Sequence, residues 1–476
     1  MRVLAIDQGT SGTKALVVDP EQGVVAIAEQ EVRPVYLGGG AVEQDPEALL
    51  ASVLEAGGRA VAEAGGGIEA VALANQGETV LAWDPDTGAP HSQAIVWQDS
   101  RAEEICAPLR AEHGEEVARR SGLVLDPYFS APKLAWVRRH LSGEGVVTTT
   151  DSWLVHALTG AFVTDVATAS RSLVLDLDEG VWDDHLLGVF GLDDEALPRI
   201  VACDEVVGET EAFGGQVPVG GLIVDQPAAL VAEGCLDAGS AKCTYGTGAF
   251  LLGNTGTDAV RSEVGLTTSV AWRARGETRY YLDGQVYTAA SAVRWLTDLG
   301  VIGGPADLDR LAADDSAGAL FVPGLAGLAA PWWRPDATGA LLGLTLSTEG
   351  PQLVRAVLEG IAAQIADLAH TIAGDLGRPI ERLRVDGGLT QSRALMQAQA
   401  DLLQAPVDVY PSPHATALGV AALGRLALDE GLSLAGAIDD WTPSQTYEPQ
   451  RSAEQAAELL GRWRQGVEMT LAQGGA

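Results

Sequence analysis

At 476 residues, with 47% hydrophobic and 20% charged side chains, the chain is too long for one core and has the composition of a soluble globular protein of two or more domains. Its 65 acidic residues against 30 basic ones give a formal charge of −35, which repels nucleic acid and anionic lipid and excludes a DNA-binding regulator. No apolar run approaches the roughly 18 residues of a membrane span, Met1 leads straight into a strand-like run, and the cysteines and histidines show no zinc-ligand spacing, so a cytoplasmic protein without structural zinc is expected.

The chain opens on an apolar run from Val3 to Ile6, then Asp7, a small-residue turn from Gln8 to Lys14, and a second apolar run from Ala15 to Val18. Two β-prone runs joined by a short glycine-bearing turn predict a hairpin rather than a strand-turn-helix. Neither a Rossmann glycine fingerprint nor a Walker A loop is present. Gly9 and Gly12 still let backbone N–H groups turn toward an anion, Thr10, Ser11 and Thr13 add hydroxyl donors, and Asp7 could hold Mg²⁺ beside phosphates. An ordinary tight turn with a solvated aspartate is the competing reading. Val24 to Ala28 predicts a third strand, and Asp45-Pro46 predicts a capped helix running to about Ala64.

Val71 to Ala74 predicts a short buried strand that delivers Asn75, Gln76, Gly77 and Glu78 at its end, where ligands bind in α/β sheets. Ile95 to Asp99 places Trp97 on a strand, either as core or as an amphipathic wall for a polyol. Tyr128 sits in a loop before a short helix carrying Lys133, and can offer its hydroxyl to a ligand or pack in a core. Leu222 to Asp225 predicts a strand ending in a carboxylate, with a helix beginning at or after Pro227; Asp225 is either that helix's cap or a functional carboxylate. Lys242 to Leu252 repeats the first hairpin's pattern of strand, Gly246-Thr247-Gly248 turn and strand. A long core helix is predicted from Val354 to Ile372, a strand ending in Gly387-Gly388 from Leu383, further helices from Ser392 and from His414, and an acidic helical tail beyond about Ala435. The three lysines against 27 arginines, Lys14, Lys133 and Lys242, all fall inside these blocks, as positions that need a compact ammonium would.

The block Asp7-Gln8-Gly9-Thr10-Ser11-Gly12-Thr13-Lys14 resembles the opening phosphate hairpin of the FGGY carbohydrate kinases and is most similar to that of their glycerol kinase branch. Tyr128 to His140 and Gly339 to Glu359 fit two signatures of that family, and the other blocks follow in its order to about residue 430. The resemblance implies an α/β protein of two actin-like (ribonuclease H-like) domains flanking a cleft, with residues 1–232 holding the substrate and catalytic base and 233–476 holding the nucleotide. It implies phosphoryl transfer from ATP with Mg²⁺ to a small polyol or sugar, no nucleic-acid or membrane partner, and a homodimer.

By the same resemblance Asp225 is the general base, and Asp7 with Asp225 places the metal. Glu78, Trp97, Tyr128, Asp225, Gln226 and Phe250 match the glycerol-binding set. Thr10, Ser11, Gly12, Lys14 and Thr247 fall at the phosphates, and Ala290, Arg294, Gly388 and Ser392 at the rest of the nucleotide. Three positions depart: Ala290, Arg294 and Ser392 stand where glycerol kinases have Gly, Gln and Asn. A fourth concerns substrate, because Gly77 replaces an arginine; losing such a charged hydrogen bond is worth roughly 1.5–3 kcal/mol, about 10- to 150-fold in affinity. A vacated arginine site also makes room, so the alternative to glycerol is a longer polyol or a ketopentose. A non-catalytic sugar and nucleotide sensor on the same fold is the second alternative.

Overall fold

The computed structural model describes residues 1–473. Two large sheets carry the architecture. The first has the strand order Val206–Thr210, Val217–Val224, Ala70–Asn75, Val3–Gly9, Gly12–Asp19, Gly23–Glu31. The second runs Thr267–Ala274, Glu277–Val286, Ala249–Gly256, Ala241–Tyr245, Leu383–Asp386, Val407–Val409, Gln445–Tyr447. In each, an antiparallel hairpin (Val3–Gly9 with Gly12–Asp19, Ala241–Tyr245 with Ala249–Gly256) is extended on its first strand's free side by a parallel strand. This repeated topology is that of the actin-like fold, and the sequence reading of a duplicated hairpin agrees with it.

The first strand is buried on both faces, as its continuous apolar run requires. Val3 and Ala5 point into one core and Leu4 and Ile6 into another. Helix Pro46–Glu63 covers the second face, entered through Asp45, whose carboxylate accepts from the Glu47 N–H at 3.0 Å. The opposite face is covered by helices Asp225–Ala232 and Ala415–Leu428. The latter lies late in the chain yet packs on the early sheet. The 27-residue helix Gly350–Leu376 forms the spine of the second sheet's core.

Two expectations change. Trp97 is not on a strand: pairing stops after Ala94–Ile95, because buried Asp99 accepts from the Val42 N–H at 2.8 Å and draws the chain into a turn. The tail beyond Ala435 is not helical throughout, since Gln445–Tyr447 adds an edge strand to the second sheet before the closing helix Ala453–Gln473. Among the described residues no helix is long and apolar enough to cross a membrane.

Candidate active site

The two hairpins face a cleft of about 520 Å³ between the sheets, and Asp225 lies on its wall. Asp225 is the first residue of helix Asp225–Ala232; the cap position belongs to Val224, and no side-chain capping bond is made. The capping role left open by the sequence is therefore not the one Asp225 plays. Burial, reinforced by the charges of Asp7 and Glu78, pushes its carboxyl up to about 7, against the pull of Lys242. Such a carboxyl is poised to exchange a proton near neutral pH.

Glu78, Trp97, Tyr128, Gln226 and Phe250 all line the same cleft. Trp97 is fixed by its indole N–H, which donates to Thr10 Oγ1 at 2.8 Å, and by Tyr128 and Phe250 packed edge-on at 5.6 and 6.1 Å. Three aromatic faces with a few polar groups between them suit a small polyol, whose carbons want an apolar wall and whose hydroxyls want partners. Gln226 Oε1 accepts from Lys242 Nζ at 2.6 Å, which leaves the amide N–H groups for a ligand. Glu78 is buried and adopts φ 57°, a left-handed conformation uncommon for a non-glycine residue.

What holds Glu78 there is an arginine that sequence reading passed over. Arg171 Nε donates to Glu78 Oε1 at 2.6 Å, and Arg171 Nη1 reaches Asp283 Oδ2 at 3.0 Å and Ser269 Oγ at 3.1 Å. Its guanidinium also lies over the Tyr128 and Phe129 rings at 5.6 and 5.0 Å. The trio joins the Glu78 loop to the second sheet. Its sequence signals are a lone arginine in Ala167–Leu175 and a lone carboxylate in Tyr280–Gly284, each inside an otherwise apolar, aromatic or small-residue run.

Gly77 lines the cleft, and a Cβ there would stand 2.9 Å from Val224 Cγ2, so even the first atom of a side chain requires that valine to shift.

On the phosphate side, Thr10, Ser11, Thr247 and Arg294 line the cleft. Gly12, Lys14, Ala290, Gly388 and Ser392 are not among its lining residues. Gly12 is required by packing, because a Cβ would meet the Gln30 carbonyl at 2.6 Å; Gly248 in the second hairpin is held likewise, 2.4 Å from the Val286 carbonyl. Lys14 stands across the ladder from Asp7 and lowers that carboxyl's affinity for a proton, yet burial and the nearby charge of Asp386 leave it raised to about 6. Ala290 opens helix Ala290–Asp298, which presents Arg294 one turn later. Gly388 begins a short 3₁₀ turn, and Ser392 caps helix Arg393–Leu403 while donating to Asp309 Oδ1 at 3.0 Å. Lys133 is structural: its ammonium donates to the carbonyls of Pro127, Tyr128 and Phe129 and so shapes the Tyr128 loop.

Among the described residues no three acidic, histidine or cysteine side chains converge as a ready-made metal cage. Asp7, which is not among the cleft's lining residues, nonetheless raises the Asp225 carboxyl by its charge, Asp386 in turn raises Asp7, and Asp386 Oδ1 is buried without a hydrogen-bond partner. That donor set fits Mg²⁺, which binds through one or two carboxylates and completes its shell with water and phosphate oxygens.

The comparisons with known proteins agree with this geometry. Residues 2–232 match the N-terminal domain, and residues 241–464 the C-terminal domain, of the FGGY family of carbohydrate kinases. The chain is 42% identical to a glycerol kinase of Trichlorobacter lovleyi over 98% of both chains. The crystal structure of Plasmodium falciparum glycerol kinase with ADP superposes with a TM-score of 0.91 at 31% identity, covering 99% of this chain and 98% of that one. Xylulose kinase from Rhodospirillum rubrum shares the fold, with a TM-score of 0.88 at 23% identity over the full length of both chains. The chain belongs to the FGGY family of carbohydrate kinases, phosphotransferases that act on an alcohol group.

Proposed function

We propose that this enzyme phosphorylates glycerol with ATP, giving sn-glycerol 3-phosphate. The observation that carries the reading is Asp225: a carboxyl with no capping duty, held near a pKa of about 7, on the wall of a cleft whose other walls are Trp97, Tyr128 and Phe250. Asp225 takes the proton of the attacking hydroxyl; that oxygen bonds to the γ-phosphorus while the bond from phosphorus to the ADP oxygen breaks. Glu78 and the Gln226 amide orient the remaining hydroxyls, and Trp97, fixed by Thr10, ties the polyol wall to the phosphate hairpin. Thr10, Ser11 and Thr247 hold the phosphates, with Arg294 toward the rest of the nucleotide. Asp7 and Asp225 would hold Mg²⁺, which would supply charge neutralisation on the phosphates.

Glycerol is favoured over a longer polyol or ketopentose because relatives 38–42% identical over nearly the full length are glycerol kinases. The same reading takes MgATP as co-substrate, the cytoplasm as the setting and a homodimer as the assembly. The test is ³¹P and ¹H NMR of the product formed from glycerol and ATP. A single phosphate on a terminal carbon, absent with Asp225→Asn, supports the reading; ADP and inorganic phosphate without a phosphorylated polyol overturns it.

A further inference from the structure

A second pocket lies at the opposite ends of the strands that feed the cleft. It has a volume of about 280 Å³ and is lined by Ala238 to Ala241 together with Arg378, Arg382 and Arg384. Ala241 begins one central strand of the second sheet and Arg384 lies near the start of its parallel neighbour, whereas the cleft is reached at their far ends, Tyr245 and Asp386. Ligands of α/β sheets gather at the carboxyl ends of strands. This pocket is at the other end and does not belong to the kinase site.

Its charge is unusual for this chain. With 65 acidic side chains against 30 basic ones, an arginine ordinarily finds a carboxylate here. Arg382 does, pairing with Asp408 at 2.7 Å. Arg378 and Arg384 have no carboxylate in ion-pair range among the described residues. Arg378 Nη1 donates to the Ala238 carbonyl at 2.7 Å. Arg384 is half-buried, donates to Cys235 Sγ at 3.4 Å and lies 5.8 Å from the Trp441 ring centre. One carboxylate, Glu381, stands on the rim. Arg378 lies flat on Gly239, where a Cβ would come within 2.8 Å of its Cδ. The backbone there has φ 91°, so the link and the arginine are fitted to each other.

We propose that this pocket binds a phosphate monoester, with Arg378 and Arg384 as its principal ligands and Arg382 at the edge. Planar guanidinium forks match phosphate oxygens in pairs. The volume is at the small end of ligand sites, which suits a phosphate carrying a short organic body and excludes a whole nucleoside triphosphate. The pocket floor is the link that runs from the helix beginning at Asp225 to strand Ala241–Tyr245, so an occupant would stiffen the connection between catalytic base and second sheet.

The experiment titrates the full chain, without substrates, with ribose 5-phosphate, inorganic phosphate and uncharged ribose at constant ionic strength. Calorimetry and tryptophan fluorescence are read together. Saturable binding of ribose 5-phosphate, none of ribose, and a loss of about tenfold or more in affinity with Arg378→Gln and with Arg384→Gln is the expected result. Arg294→Gln, in the cleft, should leave that affinity unchanged, and Trp441→Phe should remove the fluorescence change but not the heat. Inorganic phosphate binding as tightly as the ester also supports the pocket, and assigns it to the free anion. Arg378 is exposed, so its variant folds and reports even if Arg384→Gln does not. Binding abolished by Arg294→Gln and untouched by Arg378→Gln, or no binding at millimolar ester, overturns the proposal.

Discussion

Replacing Arg171 with methionine should damage polyol binding far more than nucleotide binding. Arg171 and its two carboxylate partners are almost wholly enclosed, with side-chain exposures of 4% for Arg171, 5% for Glu78 and 4% for Asp283. Removing one member of a buried ion pair leaves the others uncompensated, which costs about 3–5 kcal/mol. Glu78 is already pushed above the usual carboxylate range by burial, and the charge and hydrogen bond of Arg171 are the chief forces pulling it back. Without Arg171 it takes up a proton, and a charged acceptor for a substrate hydroxyl becomes a neutral one. A charged hydrogen bond is worth about 1.5–3 kcal/mol, so KM for glycerol should rise about 10- to 150-fold while KM for ATP moves little. The assay is steady-state ADP release with each substrate varied in turn, alongside thermal unfolding. Arg171→Lys, which restores the charge without the fork, should recover part of the glycerol KM. A folded Arg171→Met enzyme whose glycerol KM lies within about twofold of the parent would refute the reasoning.

Three further outcomes follow from the same structure. Asp225 works deprotonated, so kcat/KM for glycerol should fall below pH about 7, and the proton of Asp7 at about 6 should steepen the fall; a profile flat to about pH 5 would contradict the assignment. Asp165, buried away from the cleft, is raised to about 7 from 3.8 by burial and the charge of Asp151. A raised carboxyl stabilises the fold while protonated, and that contribution is lost as pH rises through the folded value. Asp165→Asn should therefore lose less thermal midpoint between about pH 5 and pH 8 than the parent does. Gly77→Arg alone should lower activity, because its Cβ meets Val224 at 2.9 Å, whereas Gly77→Arg with Val224→Ala should recover activity and lower the glycerol KM.

Much of the cleft was legible because its parts are local in sequence. A two-strand turn with small hydroxyl residues reads as a hairpin wherever it occurs, and Asp7, Thr10 and Ser11 come with it. The carboxylate at the end of Val217–Val224 could be seen, but only the three-dimensional capping geometry separates a base from a helix cap. The Arg171 trio leaves only separate lone charges in the sequence, and their pairing could not be read, since its members are 93 and 112 residues apart and no periodicity links them. The same limit applies at Gly77: a missing arginine is visible in one line of sequence, while the valine that a Cβ there would meet is 147 positions away. The edge strand Gln445–Tyr447 is three residues long, too short to show an alternation, and forms because Val407–Val409 offers it an open edge.

The most direct test of the account is coupled ADP release against glycerol, four- and five-carbon polyols, xylulose and ribulose, with Asp225→Asn in parallel. The account predicts that glycerol gives the highest kcat/KM and that Asp225→Asn lowers it by roughly 10²–10⁴-fold or more. A five-carbon ketose preferred over glycerol, or ADP release indifferent to both the polyol and Asp225, would contradict it.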